Sequence, residues 1–96
     1  MNEDILNGFI DGIANGNEKA LKQLYEATER NVFHYIYRMV NNQQMAEDLL
    51  METYIQTWKS AKNYRRHAKV LTWIIGIARN LTMNEFRNRK IKVYVL

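Results

Sequence analysis

The stretch ALKQLYEATERNVFHYIYRMV (20–40) decides the fold. In it Leu21, Leu24, Tyr25, Thr28, Val32, Tyr35, Ile36, Met39 and Val40 recur at three- and four-residue spacing. Lys22, Glu26, Glu29, Arg30 and Arg38 fall between them, which is the pattern of a helix with one buried stripe. The spacing predicts a helix over about residues 18–41, with Asn17 as its N-cap. Asn41-Asn42 breaks the pattern.

The flanking segments read the same way. N-terminal to it, Ile5, Leu6, Phe9, Ile10 and Ile13 predict a helix over 3–14. Gly8 and Gly12 weaken that helix, and Asn15-Gly16-Asn17 ends it. C-terminal to it, a third helix is predicted over 44–61, with Ala46, Leu49, Leu50, Thr53, Tyr54, Trp58 and Ala61 inward. A polar loop over 62–68 leads to a fourth helix over 69–90. Its inward residues are Val70, Leu71, Ile74, Ile75, Ala78, Leu81, Thr82 and Phe86. The tail IKVYVL (91–96) alternates weakly, consistent with a linker start, a packed end or a truncation. The fold class is therefore all-α, a compact bundle of four helices with no sheet. Ninety-six residues with no proline and four glycines suit one such domain.

Charge divides the chain in two. Residues 1–58 hold nine acids and four bases; residues 59–96 hold ten bases and one acid, Glu85. Such a split suits two partners, one basic and one rich in phosphate. No cysteine is present, which excludes disulfides and thiolate metal sites and fits the cytoplasm. The N-terminus lacks the pattern of a signal peptide, and no apolar run is long enough for a membrane helix. His34 and His67 have no carboxylate or cysteine at ligand spacing, so no metal site is expected. Phosphate-loop, nucleophile-elbow and paired-carboxylate motifs are also missing, so neither an enzyme nor a cofactor is expected.

Two sets of residues stand apart from the core stripes. On the third helix, Glu47, Asp48, Met51, Glu52 and Ile55 share the face opposite the core. As a solvated face it would carry Met and Ile only incidentally. As a docking face, Met51 and Ile55 supply contact area and the acids steer a basic partner. The second set begins in the loop with Tyr64, Arg65, Arg66, His67 and Lys69, and continues on the fourth helix with Arg79, Asn80, Met83, Asn84 and Arg87. Cations follow phosphates, amides read base edges, and an aromatic ring stacks on a base. Trp73 follows the loop directly, although a Trp is more often a packing residue. Basic residues near a helix C-terminus also complement its dipole, which accounts for part of Arg87 to Lys92. A helical protein-interaction adaptor and a nonspecific nucleic-acid-binding bundle are the other functions this pattern admits.

In order and spacing, ALKQLYEATERNVFHYIYRMV (20–40), AEDLLMETYIQTW (46–58) and TWIIGIARNLTMNEFRNRK (72–90) resemble region 2 of the bacterial extracytoplasmic-function sigma factors. The most specific pieces are Ala46-Glu47-Asp48-Leu49 with Glu52-Thr53 and Trp58, and Thr72-Trp73-Ile74 with Ile77-Ala78-Arg79-Asn80-Leu81. The resemblance implies a transcription initiation domain over 1–92, with 93–96 a linker start or cut tail and region 4 absent. It implies that Glu47, Asp48, Met51, Glu52 and Ile55 dock on the β′ clamp helices of RNA polymerase. It also implies that the Tyr64–Lys69 loop holds a flipped base of the −10 element's non-template strand. Asn80, Met83, Asn84 and Arg87 would recognise that element, with Trp73 near the point of strand separation. An anti-sigma factor is an implied further partner. The chain departs from the family at Met51 (usually Gln), Gln56 (commonly basic), Arg66 (often Gly), Leu71 (often basic) and Asn84 (usually Asp).

Overall fold

A computed structural model describes the backbone of residues 2–95 and the side chains of residues 2–88. The side chains of Arg89, Lys90 and Lys92, and all of Leu96, lie outside the described residues. Four helices follow in order: α1 (Glu3–Ala14), α2 (Glu18–Val40), α3 (Gln43–Ser60) and α4 (Val70–Val95). A single 3₁₀ turn, Ala61–Asn63, extends α3 toward the loop. There is no strand among the described residues.

Asparagine starts three of the helices. The Asn2, Asn17 and Asn42 side chains accept from free backbone N–H groups in the first turns of α1, α2 and α3, satisfying donors that the helix cannot. Asn41 ends α2 in the left-handed region at φ 49°. Gly16 at φ 84° makes the tight turn after α1, a conformation that glycine adopts without steric cost. Gly12 has a different role. A Cβ there would stand 2.8 Å from the Ala20 Cβ, so its bare backbone lets α1 close on the start of α2.

Lys69, directly before the fourth helix, has no side-chain acceptor with which to cap it. Instead Val70 N–H donates to Glu3 Oε2 at 2.8 Å, so a carboxylate from the first turn of α1 serves as the anionic partner at the α4 N-terminus. α4 runs to Val95, five residues past the helix expected from sequence. Helix propensities of β-branched residues fall only about 0.7 kcal/mol short of alanine's, too little to stop a helix already propagating.

Leu6, Ile10, Ile13, Leu24, Val32, Ile36, Leu49, Val70, Ile74 and Ala78 form a continuous core from all four helices. Thr28, Thr53, Thr57 and Thr82 are buried among them. Each hydroxyl donates to the carbonyl one turn back, at 2.7–2.8 Å, which removes the cost of burying it. The sequence stripes omitted Thr57 and Ala20, both buried. They also placed Ile5 and Tyr25 inward, and both are exposed.

Candidate functional site

Glu47, Asp48, Met51, Glu52 and Ile55 all lie exposed along α3. Met51 is 65% and Ile55 50% exposed, too much apolar surface to belong to the core. Gln43 Nε2 donates to Glu47 Oε2 at 2.9 Å, and Gln44 Nε2 to Asp48 Oδ1 at 3.1 Å. These amides orient the carboxylates and leave their charge intact. Among the described residues no cation reaches Glu47, Asp48 or Glu52 at ion-pair distance.

The packing of α3 on α2 adds what the sequence did not show. An open groove of about 520 Å³ runs between them, with Leu21, Tyr25, Tyr54 and Trp58 along it and Met51 and Ile55 at its edge. Trp58, placed in the core by sequence, is half-buried and lines this groove. Tyr25 and Tyr54 meet edge to face, with ring centroids 4.9 Å apart. Glu18 stands at the groove, and Glu29 and Glu47 flank an adjoining hollow. The exposed face is thus the rim of an apolar channel bordered by acids. It can take the apolar side of a basic helix.

On the other side, the loop is held from two directions. The Tyr64 ring packs on Trp73, centroids 4.8 Å apart and tilted by 40°. The Tyr64 hydroxyl donates to the Ala68 carbonyl, closing the loop on itself. Burial of the ring, aided by Glu3 and opposed by Arg66, raises the phenol pKa. Arg66 sits in the left-handed region at φ 62°, a conformation that glycine adopts without steric cost. Its guanidinium donates to Asp11 Oδ2 at 2.8 Å. α1 therefore grips the loop through Asp11 and the start of α4 through Glu3.

Arg65, His67 and Lys69 are exposed on the loop. Arg79, Asn80, Met83, Asn84 and Arg87 are exposed along α4, and Arg87 donates to the Asn84 side-chain carbonyl. The structure thus brings Tyr64 and Trp73 into one aromatic pair, continued by a polar and basic helix face. Arg66 is the exception: its charge is shared with Asp11. No group of three or more His, Cys, Asp or Glu side chains among the described residues has the arrangement to hold a metal. No described helix is long and apolar enough to cross a membrane.

Four helices with this acidic face, gripped basic loop and amide-bearing last helix define a sigma-factor-like domain. The chain belongs to the Sigma-70 region 2 family, whose model matches residues 24–91. Within it, the relatives make this a region 2 domain of the extracytoplasmic-function kind. It is similar to the ECF RNA polymerase sigma factor SigW of Bacillus subtilis, 27% identical over 93 residues, covering 97% of this chain and 50% of SigW. SigX of the same organism is 27% identical over 73 residues, covering 76% of this chain and 38% of SigX. BldN of Streptomyces coelicolor is 28% identical over 81 residues, covering 83% of this chain and 31% of BldN. The chain thus spans half or less of the length of these relatives.

Proposed function

We propose that this domain acts in transcription initiation by binding two partners at once. Its α3 face docks on the β′ clamp helices of RNA polymerase, and its loop and α4 capture the opened non-template strand of a promoter −10 element. It works by binding alone, in the cytoplasm where polymerase and promoter are. The observation that carries this reading is that the acid-bordered apolar groove on α2 and α3 and the aromatic and basic surface of the loop and α4 have no residue in common. A nonspecific nucleic-acid binder has no use for the first surface, because acids repel phosphate.

The mechanism follows from the two surfaces. Glu47, Asp48 and Glu52 steer a basic helix, and Met51 and Ile55 bury apolar area once it arrives. On the DNA side, an unstacked base costs a few kcal/mol to expose. Stacking on an aromatic platform returns about 1–3 kcal/mol per base, and the cations on the loop and α4 hold the strand's phosphates. An anti-sigma factor that covered either surface would silence the domain.

The test is binding of the domain to an isolated β′ clamp-helix fragment, with Glu52→Arg as the control. Glu52 is exposed and outside the core, so its reversal leaves the fold intact. Binding that disappears in the variant supports the docking assignment. Equal binding by both proteins would place the contact elsewhere.

A further inference from the structure

Helix α1 carries three acids, Glu3, Asp4 and Asp11, and no base. Two of them reach across to the loop and the start of α4. Glu3 accepts from Val70 N–H, and Asp11 accepts from the Arg66 guanidinium. The two contacts differ in kind. Glu3 is half-buried and satisfies a backbone donor at a helix start. Asp11 and Arg66 are exposed, their side chains 63% and 56% accessible, and neither belongs to the core. Exposed pairs add little to stability. What this pair changes is the charge that the loop presents.

We infer that Asp11 is an internal competitor for strand phosphate at Arg66, an autoinhibitory contact through which α1 limits how tightly the loop grips a single strand. The inference rests on the proposed capture of single-stranded DNA and adds α1 to it. Three observations support it. First, the Asp11 carboxylate oxygen stands 2.8 Å from an Arg66 guanidinium nitrogen. That is the place a phosphate oxygen would take, because arginine holds both anions with the same N–H donors. Second, the two anions oppose each other at this site. Arg66 has further N–H groups, but a phosphate brought to them lies beside the Asp11 charge and is repelled by it. Arg66 therefore takes a phosphate at full strength only when Asp11 lets go. Third, the contact is selective. Among the described residues, the loop cations Arg65 and Lys69 have no carboxylate at ion-pair distance, so α1 restrains one cation and leaves the others to the strand. A strand held by phosphates alone has to break the pair, whereas stacking on the aromatic surface offsets that cost.

The experiment titrates a fluorescein-labelled oligo-dT strand by anisotropy at several salt concentrations. The proteins are the wild type, Asp11→Asn, Arg66→Gly and the double variant, each checked for native helix content by circular dichroism. Arg66→Gly removes the cation and suits the left-handed backbone at φ 62°. Asp4→Asn is the control, since it removes the same charge from α1 about two turns away. Asp11→Asn binds about twofold to fivefold more tightly than the wild type, the range that an exposed ion pair can withhold. Its slope of log K against log salt steepens by up to about 0.7, the mark of one added phosphate contact. Asp4→Asn gains less, and in the Arg66→Gly background the gain from Asp11→Asn falls to that of the control. Unchanged binding by Asp11→Asn overturns the inference. Weaker binding overturns it too and makes Asp11 a residue that positions the loop for DNA. A gain that persists without Arg66, or that Asp4→Asn matches, also overturns it, because net charge alone then accounts for the effect. If Asp11→Asn loses helix content, Asp11→Ser must show the same gain, and its failure to do so overturns the inference. A folded wild type that binds no oligo-dT refutes the DNA-binding reading and the competitor with it, an outcome separable from wild-type binding that Asp11→Asn leaves unchanged.

Discussion

Tyr54 forms part of the apolar groove, and one buried hydrogen bond fixes its ring. The Thr28 hydroxyl lies 2.7 Å from the Leu24 carbonyl and 2.6 Å from the Tyr54 hydroxyl. Thr28 has one proton, and the carbonyl can only accept, so Thr28 donates to Leu24 and Tyr54 donates to Thr28. This order makes the two partners unequal. Tyr54→Phe leaves the Thr28 proton satisfied and loses one hydrogen bond, about 0.5–1.5 kcal/mol. Thr28→Val strands a phenolic O–H at a position only 5% exposed, at about 1–3 kcal/mol. At about 4–8 °C per kcal/mol for a domain of this size, the Thr28→Val penalty lowers Tm by an amount of order 10 °C. The double variant removes both polar groups and is less destabilised than the sum of the singles. Urea and thermal melts followed by circular dichroism measure all four proteins. Tyr54→Phe costing more than Thr28→Val, or a double variant at or beyond the sum, would refute the donor order.

The same tyrosine predicts an alkaline limit. Burial above all, with Glu29 and Tyr25 adding and the Thr28 hydroxyl opposing, holds the Tyr54 pKa well above its ordinary value of 10.0. The unfolded chain therefore loses this proton first, and the stability linked to it is fully present below pH 10 and falls as pH rises beyond that; urea melts across this range should show Tyr54→Phe with a shallower decline. Glu3→Ala removes the acceptor of Val70 N–H and should cost about 0.5–2 kcal/mol, with hydrogen exchange faster in the first turn of α4; unchanged exchange there would deny Glu3 its capping role. Arg66→Gly relieves a left-handed backbone worth roughly 1–2 kcal/mol, against an exposed ion pair of at most about 1 kcal/mol and glycine's added unfolded-state freedom of about 0.4–1 kcal/mol. Its urea midpoint should therefore stay near wild type, whereas Arg66→Val should be clearly destabilised. Arg87→Ala should reduce the slope of log K against log salt for single-stranded DNA by about 0.7; an unchanged slope would mean that Arg87 touches no phosphate.

The helices were legible because their signals are local. Asn17 caps α2 through its own side chain, and the stripe from Leu24 to Ile36 repeats every turn, so both needed only neighbouring residues. The exposed α3 face was legible for the same reason: five residues at helical spacing oppose a stripe. The groove beside it was not. Tyr25, Leu21 and Trp58 lie at the margin of their stripes, and only the crossing of α2 on α3 decides whether a margin faces a helix or a gap. Contacts distant in sequence were equally hidden. Asp11 and Arg66 are 55 residues apart, and Glu3 and Val70 are 67 apart; none of the four carries a local signal of its partner.

In the proposed function, two surfaces serve two partners at the same time. Its most direct measurement is single-stranded DNA binding by this domain, by anisotropy, with and without a saturating β′ clamp-helix fragment. If the surfaces are separate, the DNA affinity is the same in both, and the fragment stays bound to the protein–DNA complex. Displacement of the DNA by the fragment would contradict two separate surfaces and put both partners on one.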